Sequence, residues 1–452
     1  MPISSLSSQY ISASWQNLVQ VSSSGNLYDG AGNLISLITV ANLYGTLSGS
    51  VATASYIAPA AIVSAVTAAG FGAQGSDTYI QFNSASAFNA SSALKFNYNY
   101  YSLENGLSLT TLGNYSHAEG RATKTNGDYS HAEGSGSIAS GSASHAEGFY
   151  TIASGSYSHA EGYQTTGSGF SSHAEGGLSV ASGFYNHAEG VATLANGPAG
   201  AHSEGYSTIA SGSYSHAEGY DTEARADRSH TEGYQTTTKG TASHAEGSGT
   251  IASGSYSHAE GYQTDADGDV SHAEGGYTIA SGDYAHTEGY LTSALGFYAH
   301  AEGNNTDADG TGAHTEGYLT YASGAFSHAE GQFTEALGRN SHAEGSSSIA
   351  LGDASHAEGF YTIASGSYQH VSGKFNEHGD TTSLFIVGNG TSNSNRSDAF
   401  LVRQSGSIVM PTTQSAAPTW AGRDGEIVPA TVGGVHRLYM YMGGAWRSAS
   451  FS

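Results

Sequence analysis

A histidine followed two residues later by a glutamate can relay a proton, hold a cation or form an ion pair, and this chain repeats that pair along more than half its length. The tetrad His-Ala-Glu-Gly and its close variants occur 19 times between His117 and His370, and 18 of them carry the glutamate. Residues i and i+2 of a strand face the same side, so each imidazole would stand beside its carboxylate. A catalyst would use the histidine as base and the glutamate as its orienting partner. Active sites are singular and 18 equivalent pairs are not, so no catalytic residue is assigned and an enzyme is not expected. Copies from several chains could surround a metal ion with imidazole nitrogens and carboxylates. The preferred reading is plainer: a ladder of hydrogen bonds and ion pairs between chains, with no metal ligand and no cofactor assigned.

The spacing says what must position these pairs. Successive histidines are 14 residues apart, except for a 15-residue step from His187 to His202 where Gly197, Pro198, Ala199 and Gly200 crowd the turn. A fixed short period is the mark of a solenoid, in which each unit buries its face by stacking on the next. In the unit Ser144 to Tyr157, two five-residue strands are expected to alternate with two two-residue turns. Ser144, Ala146 and Gly148 then share one face and His145 and Glu147 the other, while Thr151, Ala153 and Gly155 oppose Ile152 and Ser154. The small-residue face is the natural inside of a thin, flattened coil. Glycine ten residues after each histidine (Gly127, Gly141, Gly155, Gly169) suits either positive φ or close backbone approach. Ala226, beside the charged run Glu223 to Arg228, departs from that rule, and its coil is expected to be irregular. At about 4.8 Å per coil the array makes a rod of roughly 90 Å.

A coil lined by methyl and hydroxyl groups gains little at about 25 cal/mol per Å² against about 1 to 2 kcal/mol per residue of chain entropy. Oligomerisation is therefore expected. The 452 residues carry 38 acids and 13 bases, a formal charge of −25, which argues against nucleic acid as a partner. There are no cysteines, hence no disulfides and no thiolate chemistry. Met1 to Gln20 lacks the basic start and apolar run of a secretory signal. The most apolar stretch, Val51 to Phe71, is interrupted by Thr53, Ser55, Pro59, Ser64, Thr67 and Gly70, so no membrane insertion is expected.

The text Gly-x-x-Ser-x-Ala-x-Gly-x-x-[Ser/Thr]-x-Ala-x, running from Ser116 to Gly373, resembles the 14-residue repeat of the YadA-type adhesin heads. The resemblance implies an all-β fold, a left-handed parallel β-roll solenoid assembled as a homotrimeric fibre. In that family the two x positions of Ser-x-Ala-x-Gly are usually aliphatic and pack between protomers; here they are His and Glu, which implies a polar interface. The trimer-interface ladder is accordingly assigned to His117 and Glu119, His131 and Glu133, His145 and Glu147, His159 and Glu161, His173 and Glu175, His187 and Glu189, His216 and Glu218, His244 and Glu246, His258 and Glu260, His272 and Glu274, His328 and Glu330, His342 and Glu344, and His356 and Glu358. Carboxylates about 5 Å apart repel by roughly 3 kcal/mol at an effective dielectric of 20, and alternating histidines relieve this. The ladder is then expected to raise the histidine pKa values and lower those of the glutamates. Its stabilisation would peak at mildly acidic to neutral pH and fade above the folded histidine values or below the folded glutamate values.

Two rows of aromatics run along the turns. Tyr163, Tyr206, Tyr220, Tyr234, Tyr262, Tyr290 and Tyr318 are expected in the first turn, and Tyr129, Tyr157, Tyr185, Tyr214, Tyr256, Tyr284, Tyr298 and Tyr368 in the second. Packing on neighbours is preferred over glycan binding. The run Asp265-Ala-Asp267-Gly-Asp269 resembles half a calcium loop but sits on repeat spacing and reads as a solvated edge.

Outside the array, 1–70 is a Ser/Ala-rich segment in which Thr46 to Ile57 resembles the stalk text of bacteriophage tail-fibre proteins, and 71–113 reads as a β-rich neck. The shaft is 114–373. The segment 374–415 is a capping element, with Leu384 to Pro411 resembling the closing segment of Ser-His-Ala-Glu-Gly arrays in phage appendages; a solenoid needs such an end to cover its strand edges. In the tip, 416–452, Trp420, His436, Tyr439, Tyr441 and Trp446 are the candidate receptor contacts, with trimer-closing core as the competing reading. The phage resemblance implies a virion tail fibre, docked through its N-terminus to a tail or baseplate protein and reaching a host surface receptor through its C-terminus. Competing readings are a bacterial trimeric surface adhesin, a purely structural baseplate or capsid-decorating fibre, and a fibre-borne polysaccharide-degrading enzyme.

Overall fold

The computed structural model describes residues 20–21, 27–28, 79–84, 87–411 and 414–451. The protein is an all-β parallel solenoid. Among the described residues no helix is long and apolar enough to cross a membrane. The expected attachment segment, 1–70, lies outside the described residues apart from the pairing of Gln20–Val21 with Leu27–Tyr28, and residues 71–78 of the expected neck lie outside them too.

The 14-residue step becomes an in-register parallel ladder. His131 pairs with His145 and His145 with His159, and the glutamates and glycines of those tetrads pair in the same register. A second ladder joins Ile138 to Ile152 and Ala139 to Ala153. Each turn thus supplies one five-residue strand, such as His145–Phe149, and one two-residue strand, such as Ile152–Ala153. The second strand is two residues long, not the five expected from its alternation. The second strand stops early because Ser154 and Gly155 both donate their backbone N–H to one carbonyl, that of Gly167, at 2.8 and 3.3 Å, which bends the chain out of the ladder.

The small face lies inside. Ala146 and Ala153 are wholly buried, as are Thr151 and, at 1 % exposure, Ser144. The inner serines are held locally: Ser144 Oγ donates to the Gly141 carbonyl at 2.7 Å, and Ser130, Ser158 and Ser243 repeat the bond. Such pairing is what lets hydroxyls stand in a core.

The two glycine columns have different reasons. The tetrad glycine combines positive φ with close approach: Gly261 sits at φ +114, and a Cβ there would lie 2.0 Å from the Gly275 carbonyl oxygen. The glycine ten residues after each histidine needs only close approach, since a Cβ on Gly254 would lie 1.9 Å from the Gly268 oxygen without positive φ. The coil around Ala226 is not irregular, contrary to expectation. Glu223–Ala224 pairs in register with Thr237–Thr238, Ser229 Oγ still donates to the residue 226 carbonyl at 2.8 Å, and Glu223 and Arg225 pair with each other.

Positive φ also falls on side-chain-bearing residues, two in most coils, including Tyr150 at 55°, Tyr157 at 60° and Ala242 at 56°. This left-handed conformation costs an L-residue roughly 1 to 2 kcal/mol. Ala242→Gly, which removes the strain and no ring contact, is expected to stabilise the fold by about 1 kcal/mol, read as a higher denaturation midpoint. The second tyrosine row occupies these positions. The first row does not lie in a turn: Tyr163 and Tyr206 are the last residues of their long strands.

The long turn after His187 is held by an amide standing where most other coils have serine. Asn186 Nδ2 donates to the carbonyls of Ala195 at 3.0 Å and Gly197 at 2.7 Å, and its Oδ1 accepts from Ala201 N at 2.8 Å. Asn186→Ser would leave buried groups unpaired, so a loss of about 1 to 3 kcal/mol is expected in the same denaturation assay.

Both ends of the rod change pairing sense. Tyr79–Ser84, Ala87–Asn97 and Ser102–Leu107 are antiparallel, and the last of these starts the parallel ladder with Leu103 opposite His117. At the other end Phe385 pairs in parallel with His370, and Ser383–Asn389 then turns antiparallel to Asp398–Arg403. The core thickens there with Val371, Ile386 and Leu401. Asn376 mimics one more rung of the short ladder: its Oδ1 accepts from Ile363 N at 2.8 Å and its Nδ2 donates to Ile363 O at 2.9 Å. The described chain closes with the antiparallel strands Ile427–Val432, Val435–Met442 and Ala445–Phe451.

Candidate functional site

Because the strands stack in register, the outward histidines stack too. From His117 to His370 successive imidazole centroids are separated by distances such as 4.8 Å (His117 to His131), 4.7 Å (His159 to His173) and 4.6 Å (His342 to His356), with planes mostly within 20°. Each glutamate stands beside its column. His159 Nε2 is 3.5 Å from Glu161 Oε2, and Glu204 lies between two rings, 3.9 Å from His202 and 3.5 Å from His216. The structure brings all the assigned ladder residues onto this one face. Most pairs are within 4.0 Å, but His356 approaches Glu344 (3.6 Å), one coil back, and His272 with Glu274 stays outside that distance. The side chains are about one third exposed in the single chain, as for His159 at 35 % and Glu161 at 41 %.

The electrostatics run opposite to expectation. Eleven histidines of the column, His131 and His159 among them, are held below the ordinary imidazole value, first by burial and then by the neighbouring histidines. The glutamates oppose this but do not outweigh it. Glu175 is raised, by burial and by Glu189 and Glu161. Physically, the carboxylates sit too far from Nε2 for a short charge-assisted bond, while each ring faces two like rings at strand spacing. The face is therefore a column of stacked imidazoles flanked by carboxylates, with burial and neighbouring rings disfavouring the charged form at those eleven positions. Glu189, Glu204, Glu218, Glu232 and Glu246 line a shallow groove of about 660 Å³, and Glu316, Glu330, Glu344 and Glu358 a second of about 520 Å³.

The aspartate run serves the coil edge. Asp267 accepts from Ser253 Oγ at 2.7 Å and Asp269 from Ser255 N at 2.8 Å, bonds that tie successive coils. Asp265 is raised by burial and by Asp267. The first tyrosine row packs ring on ring, with Tyr206, Tyr220 and Tyr234 stacked at 5.0 and 5.2 Å.

In the tip, Trp446 contacts Trp420 and Tyr441 edge-on at 5.5 and 5.2 Å and donates its Nε1–H to the Trp420 carbonyl at 2.8 Å. Trp420 is 42 % exposed and Tyr439 is buried at 8 %. His436 Nδ1 lies 3.0 Å from Thr431 Oγ1. Trp420, Trp446 and Tyr441 thus form one cluster with Trp420 partly open, whereas the burial of Tyr439 does not fit its expected role as a receptor contact.

Asn186, Gln369 and Asn376 are structural keys that the repeat pattern hid. Gln369 bridges the carbonyls of Asp380 and Ser383 at 2.8 and 2.9 Å. The signal was present: an amide replaces serine before the histidine at the two places where the next rung is 15 residues away, His187 to His202 and His370 to Phe385.

Residues 132–158, 329–355 and 343–368 match the model of the YadA head domain repeat. The match and the solenoid together define a YadA-like β-roll repeat protein, and they point to a structural or adhesive protein rather than an enzyme. No curated protein matches the chain.

Proposed function

We propose that this chain is a trimeric adhesive fibre in which three parallel solenoids pack through their histidine and glutamate faces. One observation carries the reading: the coils bury a core made almost wholly of alanine, serine and threonine, while a face of stacked, half-buried imidazoles stands outside it. Packing that face against two further copies buries the rings, and hydrogen bonds and ion pairs between chains would satisfy the Nε2 atoms and carboxylates that a single chain leaves unpaired. The similarity to YadA head repeats supports self-association. Light scattering on the purified chain tests it. Three times 46.2 kDa is expected, and a stable species of one chain overturns it.

The fuller proposal is a virion appendage, a tail fibre that docks through its N-terminal segment to a tail or baseplate protein and meets a host surface receptor with the aromatic cluster at its C-terminal end. The Trp420–Trp446–Tyr441 cluster, partly open at Trp420, supports that end as the contact. Trp420→Ala in the full chain is expected to lower binding to host cells at least tenfold without changing the mass of the assembly. The second reading, a cell-surface trimeric adhesin, is favoured by the head-repeat match. Gold labels on each terminus, imaged on intact particles and cells, distinguish the two.

A further inference from the structure

The ring nitrogens of the histidine column are unsatisfied. Among the described residues, Nε2 of every column histidine from His117 to His356 is buried and lacks a hydrogen-bond partner. Buried polar atoms are nearly always paired, and repeated exceptions point to a ligand. The carboxylates are near but not bonded: where a tetrad's own pair falls within 4.0 Å, the Nε2 to Oε2 separation runs from 3.5 Å at His159 to 4.0 Å at His328, beyond the 2.7 to 2.9 Å range of a charge-assisted bond. They are close to the ~3.4 Å that separates two donor atoms around a tetrahedral ion with bonds of about 2.0 to 2.1 Å. Several glutamates also lie between rings of successive coils, as Glu204, Glu330 and Glu344 do. In His131–Glu133–His145 and in His202–Glu204–His216 one donor atom from each residue falls within 4.8 Å of the others, and three further triads of the same kind lie between them.

We propose that the histidine and glutamate face is a linear array of sites for a first-row divalent transition-metal ion of the zinc or nickel type, each built from Nε2 of two successive histidines and the carboxylate between them. All the donors belong to one chain, so the array stands apart from the trimeric reading. Two imidazoles and a carboxylate select zinc or nickel over magnesium and calcium, which prefer all-oxygen shells. The absence of a hydrogen-bond partner leaves each Nε2 free to bind. Occupancy is limited by chemistry, since each Nε2 offers one lone pair and triads sharing a ring cannot both fill. The 19 column histidines, taken two to an ion, therefore hold at most about nine ions per chain, one for every second coil. Bonds near 2.1 Å span nitrogens at most about 4.2 Å apart, and each lone pair lies in its ring plane, so a bound ion must draw its two rings together and turn them out of their parallel stack.

The test uses the untagged full chain, stripped with EDTA and dialysed against zinc chloride at pH 7.5, with bound metal counted by mass spectrometry and its shell read by X-ray absorption. Several zinc ions per chain, up to about nine, with imidazole nitrogen in the shell and no displacement by a hundredfold excess of magnesium, are expected. H378Q/H436Q, which alters the two histidines outside the column, is expected to bind the same number. Fewer than one ion per chain, an oxygen-only shell, or loss of binding in H378Q/H436Q overturns the array. A trimer mass in EDTA together with no zinc uptake overturns the array and leaves the trimer standing, whereas zinc uptake by a single chain does the reverse.

Discussion

Gly261→Ala is expected to part the rod at its own coil. Two costs coincide at this residue. Its φ of +114 lies outside the range that L-residues adopt, and the new methyl would sit 2.0 Å from the Gly275 carbonyl oxygen of the next coil. Backbone strain of about 1 to 3 kcal/mol and overpacking of about 1 to 3 kcal/mol suggest a loss near 3 to 5 kcal/mol. Each coil touches only its neighbours, so the damage should be local. Amide exchange is expected to quicken over the coils of His258 and His272, while coils near His131 and His342 keep their protection. Gly254→Ala is expected to do less harm, since Ala226 already holds the equivalent position within an intact ladder. Equal damage from the two substitutions would contradict this account of the glycine columns.

Acid is the second large effect. Eleven column histidines have folded values below the ordinary 6.5 because burial and stacked neighbours favour the neutral ring. A lowered histidine contributes stability that is complete above its unfolded value and is lost as pH falls through its folded value. In EDTA, the melting temperature is therefore expected to hold from pH 8 to 7 and then fall by at least about 5 °C on the way to pH 5. Asp398 in the cap has the opposite sign. Burial raises it to about 6, so its contribution is present at low pH and is lost as pH rises through that value. Asp398→Asn should remove that cap component and leave the shaft's acid loss intact. A melting temperature that rises between pH 7 and 5 would restore the ordering expected from the sequence, with glutamates dominating the histidines.

His-x-Glu on a strand guarantees a shared face, and the stacked column was legible from the 14-residue step alone. Which charge wins depends on tenths of an ångström that the step does not carry: the carboxylate stops 3.5 Å or more from Nε2 at His159, while the next ring is stacked at 4.7 Å. Strand length was misjudged for a similar reason. Thr151 to Gly155 has the same inward alternation as Ser144 to Gly148, but two N–H groups share the Gly167 carbonyl and end the ladder early. The inner face of Ala146, Ala153, Ser144 and Thr151 was readable because only small residues fit a coil this thin. Asn186 and Gln369 were overlooked because each looked like one more polar variant of serine, when its extra length spans the extra residue that follows.

The central claim is that the imidazole face is where chains meet, and the natural absence of cysteine makes it directly testable. Single cysteines placed at His272 and at Ile279, on opposite outer faces of one coil, can be treated with a short bis-maleimide in the assembled protein. His272→Cys is expected to give linked dimers with one chain in three left over, and Ile279→Cys none. Linked chains from Ile279→Cys alone, or a 46.2 kDa species that links at neither position, would contradict the account.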